Sequence, residues 1–181
     1  YKLKINNIWE KEGGFELTGK TVGIIGVGHV GKDLVKLLQP FNCKILVNDI
    51  VEQDQYYLEN GLEKSEKDRI FKESDIITLH VPYTEETHYL INNFSLSKMK
   101  KTAFLVNISR GKVVDQQALK IALDKKIISG AGLDVFEHEP PNDRDFLSQE
   151  RLACSPHIGG NSEEAVLSMG RSAIGHLEDF F

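Results

Sequence analysis

The stretch Thr21-Val22-Gly23-Ile24-Ile25-Gly26-Val27-Gly28-His29-Val30-Gly31 decides the fold. Thr21 to Ile25 is a short apolar run of the kind that forms a buried strand, and glycines crowd in directly after it. Val30, Leu34, Leu37 and Leu38 then repeat at helical spacing until Pro40 stops the pattern. Strand, glycine-rich turn and helix follow without a break. A G-x-G-x-x-G alone carries little, since glycines recur by chance; its place in that unit gives it weight. The next apolar run, Ile45-Leu46-Val47, leads to an acid, Asp49, eighteen positions after Gly31.

Each part has a physical task. Gly26 allows the tight turn, Gly28 lets a pyrophosphate approach the backbone, and Gly31 permits close packing of helix on strand. The free N–H groups at the helix start, those of His29 and Val30 among them, face phosphate at the positive end of the helix dipole. A carboxylate at Asp49 can accept hydrogen bonds from ribose hydroxyls and would repel a 2′-phosphate. Ile50, Val51 and Glu52 supply no cation to receive such a phosphate. The expected cofactor is NAD rather than NADP.

Working outward, short apolar runs alternate with helical patterns along the chain. A polar helix is expected over Gln53 to Asn60, followed by Gly61 and a short extended stretch. Strands are expected at Ile76 to Val81, stopped by Pro82, and at Ala103 to Ile108, Gly130 to Val135 and Leu152 to Cys154. Asp115 is positioned to cap a helix running to Lys125, with Ala118, Ile121 and Ala122 on one face. From Ser162 onward Ala165, Val166, Met169, Ala173 and Leu177 line one face of a last helix. Alternation of strand and helix forces crossovers and parallel pairing, and near-continuous apolar strands imply helices on both faces. The expected fold is a doubly wound α/β domain of the Rossmann type. Residues 1–181 form that single domain, with 1–19 as an arm or linker and 162–181 as the C-terminal helix.

Composition narrows the function. The chain has 181 residues, enough for one sizeable core and too few for two full domains. With 22 basic against 27 acidic residues it lacks the basic excess of a nucleic-acid binder. The one cluster, Lys98-Met99-Lys100-Lys101, reads as a solvated helix end. No apolar run reaches the roughly 20 residues of a membrane span, and Tyr1-Lys2-Leu3-Lys4 does not open a signal peptide. A cytoplasmic setting is expected, with no membrane and no nucleic acid as partner. Cys43 and Cys154 have no C-x-x-C neighbour and read as buried structural thiols, and no metal site is expected.

A second constellation lies in three later stretches: Asn107-Ile108-Ser109-Arg110-Gly111, Gly132-Leu133-Asp134-Val135-Phe136-Glu137-His138-Glu139-Pro140, and Ser155-Pro156-His157-Ile158-Gly159-Gly160. Each ends a strand, and in open parallel sheets ligands sit beyond the carboxyl ends. From Glu16-Leu17-Thr18-Gly19-Lys20-Thr21-Val22 through Gly160 the sequence resembles the D-isomer-specific 2-hydroxyacid dehydrogenase family. The ordered set of glycine-rich turn and three later motifs carries the resemblance.

The resemblance implies a catalytic set of Arg110, Glu139 and His157, with Glu139 chosen over Glu137 because it directly precedes Pro140. The chemistry suits hydride transfer between NAD(H) and a 2-oxo or 2-hydroxy acid. His157 would exchange a proton with the carbonyl oxygen, Glu139 would orient the ring, and Arg110 would present its planar fork to the carboxylate and carbonyl. Further cofactor contacts are implied at Val81 and Pro82 on the adenine or ribose side, at Ile108 and Asp134 near the nicotinamide, and at Gly159; a helix or loop cap is the other role open to Asp134. His80 could lie near the cofactor or serve the structure, while His88, His138 and His176 read as solvent-facing.

The family also implies a separate substrate domain, absent from this chain, so that the chain alone would bind NAD(H) and turn substrate over poorly. A homodimer built through the nucleotide domains is implied as well, with Ile5, Ile8 and Trp9 as candidate contacts, intrachain packing being equally open to them. Two other readings stand beside the dehydrogenase. One is an NAD-sensing module like the family's corepressor relatives. The other is a hydrolase of the S-adenosylhomocysteine type, which would not carry the Arg110, Glu139 and His157 motifs.

Overall fold

Strand β1 (Thr21–Ile25) runs into helix α1 (His29–Leu38), and β2 (Lys44–Asn48) into α2 (Asp54–Glu59). The two-residue β3 (Glu63–Lys64), α3 (Lys67–Glu73) and β4 (Ile76–Leu79) complete the first half. The second half holds α4 (Asn93–Lys98), β5 (Phe104–Asn107), α5 (Gln116–Asp124), β6 (Gly130–Leu133), α6 (Arg144–Leu147), β7 (Leu152–Cys154) and α7 (Glu163–Glu178). The structure, a computed structural model, describes residues 9, 13–178 and 180. Ile5 and Ile8, candidate dimer contacts, lie outside the described residues, as do most of the 1–19 arm and residues 179 and 181.

All seven strands form one parallel sheet in the order β3-β2-β1-β4-β5-β6-β7. The chain steps outward from β1 to β3, then returns to the other side of β1 with β4, which makes the β1/β4 boundary the topological switch point. Alternation along the strands feeds two cores. Val22, Ile24, Ile45 and Val47 pack on one face with Val35, Leu38 and Tyr57. Ile25, Leu46, Ile77, Leu79 and Leu105 pack on the other with Ile70, Leu96, Leu119 and Leu123. Among the described residues no helix is long and apolar enough to cross a membrane.

Several expectations are corrected here. The face of α1 turned to the sheet is Gly31, Val35 and Leu38, while Val30 and Leu37 point to solvent and Leu34 is half-buried. The cause is Gly31, which lies against the turn at Gly26 and so fixes which side of the helix meets the sheet. On α5, capped as expected by Asp115 accepting from Ala118 N–H at 2.9 Å, the buried face is Ala118, Leu119, Ala122 and Leu123; Ile121 sits at its margin. Cys43 is only half-buried and Cys154 is exposed, because β7 is the sheet's edge. The expected apolar face of α7 is present but uncovered, with Val166, Met169 and Leu177 exposed. Strands β4, β5 and β6 end one or two residues earlier than read, at Leu79, Asn107 and Leu133.

Helices α3, α4 and α6 went unread as helices, although Lys98 does end α4. In Lys67–Glu73 only Ile70 and Phe71 are apolar and buried, too few to show a period. That helix lies so close on β1 that a Cβ at Gly23 would stand 2.5 Å from Ile70 and Ser74. Lys98 and Lys100 are not free: they pair with Asp68 and, at 2.8 Å, with Asp75.

Candidate active site

Every candidate residue lies just past the carboxyl end of a strand. The glycine-rich turn follows β1, Asp49 follows β2, and His80, Val81 and Pro82 follow β4. Ile108 and Arg110 follow β5, Asp134 and Glu139 follow β6, and His157 and Gly159 follow β7. One edge of the sheet therefore carries both constellations.

At the turn, Gly26 takes φ +97°, and a Cβ there would lie 2.5 Å from the His80 carbonyl oxygen. A Cβ at Gly31 would lie 2.3 Å from Gly26 O, whereas at Gly28 nothing stands within 4 Å. The backbone is thus shut on the sheet side and open on the outer side. Gly28 caps α1 with no side-chain acceptor, and the first turn contains no acid, so its N–H groups and dipole are left for an anion. Asp49 Oδ2 accepts from Val27 N–H at 2.5 Å and Oδ1 from Val51 N–H at 2.8 Å, and lone pairs remain for ribose hydroxyls. These residues fit a dinucleotide.

The second constellation converges on one cleft of about 350 Å³, lined by Arg110, Glu139 and His157 with Tyr83, Lys112 and Phe136 on its walls. His157 Nδ1 lies 2.7 Å from Glu139 Oε2, the side chains being 49% and 37% exposed. Glu139 Oε1 accepts from Phe136 N–H at 3.0 Å. The hydrogen bond from His157, then that from Phe136, holds the Glu139 carboxyl below the usual carboxylate range. Glu137 is occupied elsewhere: it accepts from Gln116 N–H at 2.6 Å and from the Tyr89 hydroxyl at 3.2 Å, which ties the cleft wall to the start of α5. Geometry and motif thus select the same glutamate as the partner of His157.

Two buried groups shape the loops beneath. Asn107, with no exposed surface, accepts from Ser109 N–H and Oγ and donates to the Arg110 carbonyl at 3.0 Å. That knot sets the path of the loop that carries Arg110 outward; the guanidinium itself donates to Ser109 O at 2.7 Å. Asp134 accepts from Ser155 Oγ at 2.6 Å, Ile158 N–H at 2.9 Å and Gly159 N–H at 2.8 Å. Burial pushes its carboxyl up, but these three donors outweigh that and hold it low. The two peptide N–H groups stabilise the loop around His157, whose φ of 53° is left-handed. Asp134 therefore acts as a loop cap, with the capacity for one further bond at Oδ2.

Ile108 is exposed, two residues before Arg110. His80 is half-buried, its Nε2 2.9 Å from Thr78 Oγ1, and burial lowers its pKa. His88 is exposed and stacks on Tyr89; His138 and His176 are exposed. Reading the sequence missed roles for Asn107, Tyr83 and Tyr89, whose types carry no signal without the loop geometry. A larger depression of about 410 Å³ by Phe15, Leu17, Ile76 and Phe104 lies at the opposite, amino edge of the sheet and holds none of these groups.

Comparison with known proteins agrees with the fold and with a dinucleotide as its ligand. Residues 3–159 match the model of the D-isomer specific 2-hydroxyacid dehydrogenase NAD binding domain. The chain is 43% identical over 167 residues to the glyoxylate reductase of Pyrococcus furiosus, covering 92% of this chain and 50% of that protein. It is 41% identical over 167 residues to the hydroxypyruvate reductase of Thermotoga maritima, covering 90% of this chain and 54% of the relative. The solved D-lactate dehydrogenase of Aquifex aeolicus, complexed with NAD and lactic acid, superposes with a TM-score of 0.88 at 31% identity, over 99% of this chain and 59% of that one. The chain thus spans about half the length of the curated relatives it matches. It belongs to the D-isomer specific 2-hydroxyacid dehydrogenase family, of which it is the NAD-binding domain.

Proposed function

We propose that this chain is the cofactor-binding part of an NAD-dependent dehydrogenase that interconverts a D-2-hydroxy acid and its 2-oxo acid. The observation that carries the reading is the His157–Glu139 contact at 2.7 Å in one cleft with Arg110, on the sheet edge that presents the glycine-rich turn. NAD(H), when bound, supplies the hydride. Arg110 binds the substrate carboxylate and neighbouring carbonyl oxygen through its fork, His157 passes a proton to or from that oxygen, and Glu139 holds the ring in place.

The same reading assigns the uncovered side of α7, with Leu167 and Ile174 as well as Val166, Met169 and Leu177 exposed, to a substrate domain of the full-length enzyme that closes over the cleft. It also includes a homodimer, supported by the outward apolar Val30, Leu37 and Phe41 and by exposed Trp9, and a cytoplasmic location with a small 2-oxo acid as partner.

The test is NADH oxidation by the full-length protein across a panel of 2-oxo acids, with Arg110→Ala as control. Turnover of one acid that falls at least about a hundredfold in the variant is expected, as for loss of a charged hydrogen-bonding pair in the transition state. NADH binding without turnover of any acid would overturn the reading in favour of a sensing module.

A further inference from the structure

Helix α2 begins in an unusual way. Its N-cap residue is Gln53, and the side chain does not cap. Instead Gln53 Nε2 crosses to the glycine-rich turn and donates to the Val27 carbonyl at 3.2 Å. Val27 is fully buried between Gly26 and Gly28, and Asp49 Oδ2 takes the N–H of the same residue. Both peptide units of Val27 are therefore gripped, one by Asp49 and one by Gln53.

The second grip matters for binding. The peptide joining Val27 to Gly28 is planar, so fixing its carbonyl on the Gln53 side points the Gly28 N–H the opposite way. Gly28 has no Cβ and open space around it, so this peptide rotates more freely than most. Turned over, it would present a carbonyl oxygen in place of a donor at the start of α1, where an anion belongs. A carbonyl that accepts a hydrogen bond also polarises its own N–H and strengthens it as a donor.

We propose that Gln53 is a positioning residue for the dinucleotide pyrophosphate: it holds the Val27–Gly28 peptide with its N–H toward the phosphates. Asp49 serves the adenosine end and the preceding peptide. Gln53 serves the phosphates alone, without touching the ligand. The inference concerns nucleotide binding and is independent of which acid the enzyme reduces.

The experiment titrates ADP and adenosine separately into the full-length protein and into its Gln53→Met and Gln53→Thr variants, by calorimetry. Loss of one neutral hydrogen bond predicts ADP binding weakened about fivefold to tenfold in both variants, with adenosine binding changed by less than about twofold. Gln53→Met isolates the missing donor, and Gln53→Thr, neutral, polar and too short to reach the Val27 carbonyl, keeps the test open should the apolar variant fold poorly. ADP affinity unchanged in Gln53→Met, or adenosine weakened as much as ADP, would overturn the proposal. Failure of both variants to fold would assign Gln53 to the fold and overturn it equally.

Discussion

Replacing His157 by alanine is expected to lower the rate of 2-oxo acid reduction by about 10²- to 10⁴-fold while leaving NADH affinity unchanged, the range general acid–base groups contribute. His157 Nδ1 is held by Glu139, and among the described residues Nε2 has no partner, which leaves it free for a substrate oxygen. The glycine-rich turn lies after β1 and His157 after β7, so losing the ring leaves the phosphate cradle intact. On the proposed reading Glu139→Gln should cost less, because it removes the carboxylate and keeps the imidazole. The pH dependence of the contact follows from its sign. The Glu139 carboxyl is held low in the fold, so the stabilisation is fully present above its unfolded value, about pH 4.3, and is lost as pH falls through the lower folded value. Steady-state rates with saturating NADH, compared with NADH titrations of the same variants, check this. Full activity in His157→Ala would remove His157 from the chemistry.

Gly111→Ala is the second change with a large expected effect, at a residue with no chemical group to offer. A Cβ there would stand 1.9 Å from the Phe136 carbonyl oxygen, 2.0 Å from its carbon and 2.5 Å from Glu137 N. All three are backbone atoms, which no rotamer change can move aside. Gly111 opens the 3₁₀ turn Gly111–Val113 directly after Arg110, and Phe136 leads into Glu137 and Glu139. The methyl group thus drives apart the two segments that carry opposite sides of the cleft. Overpacking of this kind costs about 1–3 kcal/mol or more, and a displacement near 1 Å at a reacting centre can cost about a hundredfold in rate. A fall in Tm of several degrees is expected together with loss of most of kcat/KM. An unchanged Tm and rate in Gly111→Ala would show that the two segments do not depend on this contact.

The sheet was legible because its strands are buried on both faces, and sequences such as Thr21 to Ile25 and Ile76 to Leu79 have few other ways to be used. Boundaries were less so: Val81 continues the apolar run but follows Leu79 out of the ladder, since pairing ends where β1 gives way to its turn. Helices with two apolar residues, such as α3, leave no period to read. Helix α1 shows a different limit. Its stripe of Val30, Leu34, Leu37 and Leu38 is real, yet the close approach of Gly31 to Gly26 turns Gly31, Val35 and Leu38 inward and leaves Val30 and Leu37 in solvent. A missing side chain decided the orientation, and hydrophobic spacing cannot register that.

At the site, Arg110, Glu139 and His157 were legible through their motifs, and the structure brings all three to one cleft. The supporting contacts were not. Asn107 knots its own loop, Asp134 turns to the peptides of Ile158 and Gly159, and Gln53 leaves its helix for a carbonyl 26 positions away. Each is a side chain bonded to backbone, and backbone direction is not written in residue type.

The most direct test of the central claim is a crystal structure of the full-length protein with NADH and oxamate, an unreactive analogue of a 2-oxo acid. The account predicts the pyrophosphate on the N–H groups at the start of α1, ribose hydroxyls on Asp49, and oxamate with its carboxylate on the Arg110 fork and its carbonyl oxygen at His157. Oxamate bound away from Arg110 and His157, or a nucleotide that leaves the glycine-rich turn empty, would contradict it.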